Sequence, residues 1–212
     1  MTNYFLITRP DYDGPTSYLY HWSKASLERA REHGLQVINV EGSEATRAKV
    51  ESYLKNAGLN IPLLVFNGHG DEDSIRGHQN EVLIGLGTNE ALLEGRITYS
   101  IACGAAKHLG PAAVKNGGTY IGYIRDFRFY HDQDKASRPL QDEIAGLYLE
   151  HYRVLVAALL KGNKTGDAYQ KARKSLLDSL KASLTGKDTY LASALFADYK
   201  NFVLLGDQEA SV

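Results

Sequence analysis

The chain has 212 residues, of which 43% are apolar and 23% charged, and its formal net charge is −1. This balance is typical of an ordinary globular protein and lacks the basic excess expected of a protein that binds nucleic acid or an anionic membrane. We therefore expect one domain with a sizeable core, no nucleic-acid partner and no membrane partner.

The cellular compartment can also be predicted from composition. The first residues lack the basic start and the apolar length of a signal peptide, and no window approaches the ~20 apolar residues that span a bilayer. Cys103 is the single cysteine, so the chain can form no internal disulfide. Both observations predict a cytoplasmic protein with a free thiol.

Strand and helix patterns alternate along the first two-thirds of the chain. In chain order they predict a strand at 4–8, a helix at 17–33, a strand at 35–40, a helix from an N-cap at Ser43 to Gly58, a strand at 61–66, a small hairpin at 75–86, a helical turn at 89–93, a strand at 96–102, a helix at 105–115 and a strand at 119–124. The strand at 61–66 is apolar at successive positions, as expected where both faces of a parallel sheet are covered.

The pattern changes beyond Asp126. Residues 127–138 are polar and irregular, helices are predicted at 139–160, 165–184 and 189–199, and a last strand is predicted at 202–207. We predict a single domain, 1–212, in which an α/β core at 1–126 is followed by a helical segment at 136–200 that packs on it and by a final strand at 201–207. Alternating strands and helices indicate βαβ units, and therefore a mostly parallel, doubly wound sheet of about six strands with helices on both faces.

Two chemically reactive side chains follow neighbouring strands of this predicted sheet. The strand at 61–66 stops at a histidine between two glycines, Gly68-His69-Gly70, which suits a displayed side chain because glycine permits φ > 0 and close backbone approach. Cys103 follows the strand at 96–102. Functional groups in open α/β sheets collect at the carboxyl ends of the strands, about 4.8 Å apart, so the thiol and the imidazole are candidates for a nucleophile and its base.

The chemistry of such a pair requires a stabilised thiolate and a site for an oxyanion. A helix predicted to begin at Gly104 would direct the positive end of its dipole at the sulfur of Cys103 and lower its pKa. The backbone N–H groups of Gly70 and Cys103 are the predicted oxyanion donors.

This arrangement resembles the caspase-like (clan CD) cysteine peptidases, which include caspases, legumain, separase, clostripain, gingipains and CHAT domains. The resemblance lies in the strand that ends at Gly68-His69-Gly70, the hairpin after it, and the strand that ends at Ala102-Cys103. The closing Leu204-Leu205-Gly206-Asp207 is similar to the Leu-Leu-Gly-Asp-Pro of gingipain-like and CHAT domains, with Gln208 in place of the proline. The resemblance covers roughly residues 1–125 and the last ten residues of the chain.

The resemblance implies a three-layer caspase-like fold and a cysteine endopeptidase whose catalytic dyad is Cys103 and His69. It implies no metal or organic cofactor and a peptide or protein substrate. The alternative is a catalytically inactive caspase-like module that binds a regulatory protein partner.

The residue that selects the substrate side chain before the cleaved bond, the P1 residue, is left open. Carboxylates near the strand ends favour a basic P1 residue, with Asp126 and Asp71 as the predicted substrate-binding residues and Glu72 and Asp73 as further candidates. Arg125 or Arg76 would instead receive an acidic P1 residue.

Other histidines and acidic residues carry less specific signals. His78 and His108 are predicted to be surface residues, although either could replace His69 as the base. A metal site would need His69, Asp71, Asp73, His131, Asp132 and Asp134, which are scattered and lack a recognised ligand spacing.

Overall fold

The computed structural model describes residues 2–115, 117–185 and 189–212. Its strands are β1 (Asn3–Arg9), β2 (Gln36–Glu41), β3 (Asn60–Asn67), β4 (Gly70–Asp71), β5 (Ser74–Arg76), β6 (Val82–Gly85), β7 (Ile97–Ile101), β8 (Thr119–Tyr123) and β9 (Phe202–Gly206). Its α-helices are α1 (Gly14–Glu32), α2 (Arg47–Leu54), α3 (Leu109–Val114), α4 (Glu143–Leu160), α5 (Thr165–Thr185) and α6 (Leu191–Asn201).

The main sheet has six strands in the order β2-β1-β3-β7-β8-β9. The first five of these strands run parallel to one another, whereas β9 pairs antiparallel with β8. The predicted α/β class with a mostly parallel sheet is confirmed. The strand β9 therefore forms the edge of this sheet beside β8.

Helices cover both faces of the sheet. Successive strand residues point to opposite faces, so neighbouring residues of one strand pack into different cores. Phe5 and Ile7 of β1 pack into one core with α1, α4, α5 and α6, whereas Leu6 packs into a second core with α2 and α3. The predicted layers are therefore present, and the C-terminal helices lie on one face. None of the described helices is long and apolar enough to cross a membrane.

The start of the second helix differs from the prediction. Ser43 lies in a short 3-10 turn at Gly42–Glu44, and the N-cap of α2 is Thr46, whose hydroxyl accepts the N–H of Lys49. Both residues are good N-caps by type, so residue type alone did not distinguish them. The prediction of Ser43 as the cap is wrong, because the cap is Thr46.

A small antiparallel sheet, β4-β5-β6, follows the carboxyl end of β3. It corresponds to the predicted hairpin at 75–86, extended by the two residues of β4. This small sheet begins at Gly70, directly after His69, and it therefore fixes the chain that leaves the histidine.

Candidate active site

A cavity of about 960 Å³ lies where β3 and β7 end. Its size is within the range of small-ligand sites in proteins. Five segments line it: the end of β3, the turn after β7, the loop after β8, the start of α1 and one side of α6. All of the predicted site residues are among its lining residues: His69, Gly70, Asp71, Cys103 and Asp126.

The two glycines beside His69 are required by close backbone approach. Gly68 has φ of +148°, and a Cβ at this position would lie 2.2 Å from the carbonyl oxygen of Arg76. A Cβ at Gly70 would lie 2.7 Å from the Cβ of Ala102. The sequence around His69 thus holds the histidine backbone against the hairpin and the end of β7 at once.

His69 forms a hydrogen bond that the sequence patterns did not predict. Its Nε2 lies 2.7 Å from Oδ2 of Asp13, and both side chains are about one-third exposed. Asp13 is also the N-cap of α1, and its Oδ1 accepts the N–H of Thr16. Burial alone would raise the pKa of Asp13, but hydrogen bonds from Thr16 and His69 lower it below its ordinary value.

Asp13 carried a local signal that could have identified it. The sequence Asp13-Gly14-Pro15 follows the first strand after three residues and has the residue types of a helix N-terminus. Its carboxylate therefore lies at the carboxyl edge of the sheet, the same edge to which β3 brings His69.

The turn after Cys103 differs from the prediction and changes the electrostatics of the thiol. Residues 103–108 form turns, and α3 begins only at Leu109 and has six residues. The helix predicted at 105–115 is therefore present only at Leu109–Val114, and its predicted start, with the dipole directed at the sulfur, is wrong.

The Cys103 thiol is partly buried and donates to the carbonyl oxygen of Phe127, with a sulfur–oxygen distance of 3.6 Å. Burial raises the pKa of this thiol above its ordinary value, and the negative charge of Asp126 acts in the same direction. The thiol is therefore protonated in this state, and a base must remove its proton before it can attack.

The amide of Gly70 is directed away from the hairpin. Gly70 faces Ile75 across the β4–β5 pair, and the N–H of Arg76 donates to the carbonyl of His69 at 2.9 Å. This bond makes Gly70 and Ile75 a pair whose own N–H groups point out of the ladder. The N–H of Gly70 is therefore not used in the β4–β5 ladder.

The two carboxylates predicted to bind substrate are each paired with an arginine of the chain. Asp71 accepts from Arg76 at 2.6 Å, and Asp126 accepts from Arg128 at 2.8 Å. The side chain of Asp126 is 58% exposed. Of the further candidates, Glu72 pairs with Lys107, and Asp73 pairs with His108.

A further carboxyl group at the cavity had no signal in the sequence patterns. Asp198 of α6 is fully buried and lines the cavity. Its Oδ1 accepts the N–H of Arg128 at 3.3 Å. Burial raises the pKa of Asp198 to about 8, although the Arg128 N–H and the Arg128 charge act in the opposite direction.

The residues weighed as a metal site do not form one ligand set in the described ranges. Within residues 2–115, 117–185 and 189–212, no three His, Cys, Asp or Glu side chains are grouped so that they could hold a metal ion. His69 is engaged with Asp13, and Asp71 with Arg76.

No protein-family model and no curated protein matches this chain. Among solved structures, 29 chains match. One is the complex of Porphyromonas gingivalis RgpB pro- and mature domains, with a TM-score of 0.60, 10% identity, and coverage of 99% of this chain and 48% of that chain. This chain thus spans about half the length of the matched one. The likeness confirms the predicted fold, which is similar to the caspase-like fold of the gingipain.

Proposed function

We propose that this chain is a cysteine endopeptidase that hydrolyses peptide bonds through Cys103 and His69. The observation that carries the proposal is that Cys103, His69 and Gly70 all line one cavity at the ends of neighbouring strands. The similarity of the fold to that of a gingipain is a second, weaker support, because it concerns architecture alone.

In the proposed first step, His69 removes the proton of the Cys103 thiol as the substrate binds. Asp13 accepts a hydrogen bond from the Nε2–H of His69, which leaves Nδ1 as the base. The thiolate then attacks the substrate carbonyl and forms a tetrahedral intermediate. The N–H groups of Gly70 and Cys103 donate to its oxyanion.

In the second step, the protonated His69 gives its proton to the leaving amine, and the C–N bond breaks. A thioester between Cys103 and the acyl half of the substrate remains. His69 then takes a proton from water as its hydroxide attacks the thioester; the C–S bond breaks, the sulfur of Cys103 takes that proton from His69, and the acyl half leaves as a carboxylic acid. Asp13 stabilises the imidazolium in both steps, so we assign it as a positioning residue.

We also propose that the P1 residue is basic, because the carboxyl groups that line the cavity outnumber its arginines: Asp71, Glu72, Asp126 and Asp198 against Arg125 and Arg128. Asp126 and Asp71 remain the sequence-based candidates for this role. Both are already paired with arginines of the chain, which weakens their attraction for a further cation.

A second candidate function is a catalytically inactive caspase-like module that binds a regulatory partner. The raised pKa of Cys103 and its hydrogen bond to Phe127 favour this candidate. A thiol that stays protonated at neutral pH is a weak nucleophile unless a substrate-like ligand brings the base into action.

Two alkylating reagents separate these functions. We expect iodoacetamide to label native Cys103 slowly, because its thiol is protonated and partly buried. We expect a peptide acyloxymethyl ketone with arginine at P1 to label it much faster, because the peptide occupies the cavity and engages His69. Mass spectrometry identifies the modified residue, and hydrolysis of arginine- or lysine-ending reporters gives kcat/KM.

Cys103→Ala should abolish labelling and lower kcat/KM by on the order of a thousandfold, and His69→Ala should lower both strongly. His108→Ala is the matched control, since His108 lies in the same turn region and is bonded to Asp73. Equally slow labelling by both reagents, or unchanged hydrolysis in Cys103→Ala, would show that the chain is not this peptidase.

A further inference from the structure

Asp198 lines the cavity and has one carboxyl oxygen without a hydrogen-bond partner among the described residues. The residue is 0% exposed, and its Oδ2 is buried and has no hydrogen-bond partner in the part of the chain that the structure describes. Its Oδ1 accepts the N–H of Arg128. A buried polar atom without a partner costs free energy, so a ligand that supplied a donor there would recover that cost.

In the described part of the chain, the cation that acts on this carboxyl is already paired with another carboxylate. The cation that acts on Asp198 is Arg128, whose guanidinium pairs with Asp126 at 2.8 Å and is 77% exposed. The titratable groups that face Asp198 from other elements are uncharged at pH 7, because burial raises the pKa of each. They are Cys103 after β7, Tyr99 of β7, Tyr123 of β8 and Tyr148 of α4.

Space for a ligand chain is available on the same side of α6. Ala194 lies four residues before Asp198, so the two share one helix face, and Ala197 also lines the cavity. Small side chains at these positions leave the wall open. A long, narrow substrate side chain therefore has room to lie along α6 toward the carboxyl group.

We propose that Asp198 is the residue that determines specificity in this cavity, and that it accepts the guanidinium or ammonium group of a substrate arginine or lysine. This inference rests on the proposed peptidase function, since it assigns the cation to a substrate side chain. It replaces Asp126 and Asp71 in that role, because those carboxylates are partly exposed and already paired.

Ligand binding should release a proton. Because burial raises the pKa of Asp198 to about 8, its carboxyl group is mostly protonated at pH 7. A bound cation favours the carboxylate, and the proton passes to the solvent. A neutral ligand of the same shape should release none.

The test uses the Cys103→Ala protein, in which no probe is consumed. Isothermal titration calorimetry compares N-acetyl-L-arginine amide with N-acetyl-L-citrulline amide, which has nearly the same shape without the charge. We expect the arginine amide to bind at least about tenfold more tightly and to release nearly one proton at pH 7, measured from the binding heat in buffers of different ionisation enthalpy.

Asp198→Asn, added to Cys103→Ala, should remove this preference and the proton release. The asparagine oxygen can still accept the Arg128 N–H, so the loop remains attached to α6. Ala194→Lys supplies a second variant, because an ammonium group of the chain one turn before Asp198 should occupy the site and abolish binding of the arginine amide. Asp126→Asn and Asp71→Asn are matched controls that should keep the preference.

Retention of the arginine preference in Asp198→Asn, its loss in Asp126→Asn, or no detectable binding of the arginine amide would each overturn the inference. These results do not depend on cysteine chemistry. If Asp198 governs arginine binding but the native chain hydrolyses no peptide, the peptidase function fails while the cation site remains.

Discussion

At the scale of single residues, the hydrogen bond between His69 and Asp13 leads to a prediction that is separate from the dyad itself. Asp13→Asn keeps a good N-cap for α1 but removes the charge that stabilises the imidazolium. We expect kcat/KM to fall about tenfold to a hundredfold and the acidic limb of its pH profile to move to lower pH. Steady-state kinetics between pH 5 and 9 measure both effects.

Asp11→Asn is the matched control, since Asp11 is exposed and lies two residues before Asp13. A purely structural role for Asp13 would lower activity without moving the acidic limb. An unchanged limb in Asp13→Asn would therefore contradict the assignment of Asp13 as the partner of the catalytic imidazole.

The sequence predicted the cavity residues that follow strands, and it missed Asp13 and Asp198, which come from elsewhere. His69 and Cys103 could be predicted because each ends an apolar run, and the glycines around His69 mark its exposure. Asp13 had a helix-start signal that was not connected to the histidine. Asp198 could not be found, because a lone acidic residue in a helix gives no indication of which surface it faces.

At the scale of elements, the error at 105–115 has a physical cause that the sequence contains. A helix that began at Ala105 would place Pro111 in its interior, where proline lacks an N–H and clashes with the preceding turn. The observed helix begins at Leu109, so Pro111 lies in its first turn. The N–H of Gly104 instead donates to the backbone carbonyl oxygen of Arg125, and this bond connects the turn to the loop after β8.

The hairpin after His69 provides an element-scale prediction. Gly68→Ala would bring a Cβ within 2.2 Å of a backbone oxygen at a φ of +148°. We expect the free energy of unfolding to fall by about 1–3 kcal/mol, because the hairpin must shift away from β3. Urea unfolding at pH 7 measures this change.

Gly14→Ala is the control substitution, since no atom lies within 4 Å of its added Cβ and its φ is not positive. We expect a change within about 0.5 kcal/mol there. Equal stability of the two variants would mean that the backbone around Gly68 is not constrained as described.

At the scale of the whole molecule, the sheet was more predictable than the placement of the C-terminal helices. Continuous apolar strands separated by helices specify a parallel sheet covered on both faces. Helical periodicity specifies which side of α4, α5 or α6 is buried, but not the surface that buries it. The structure places α6 beside the loop after β8, where it forms one wall of the cavity.

Two buried groups in this packing make stability depend on pH in opposite directions. Burial lowers the pKa of His151 on α4 from 6.5 to about 4, so stability is lost as pH falls from 6.5 through 4. Burial raises the pKa of Asp198 from 3.8 to about 8, so stability is lost as pH rises from 3.8 through 8. The two effects oppose each other between pH 4 and 6.5, and the effect of Asp198 dominates above that range.

We therefore expect the free energy of unfolding of the native chain to change little between pH 4.5 and 6.5 and to fall by on the order of 2 kcal/mol between pH 6.5 and 8. Asp198→Asn should remove the fall at higher pH, and its stability should instead rise from pH 4.5 to 6.5, because only His151 then titrates in this way. Urea unfolding at these three pH values measures both profiles. Parallel profiles for the two proteins above pH 6.5 would mean that Asp198 is already ionised in the folded chain, since a carboxylate with the same charge folded and unfolded adds no slope.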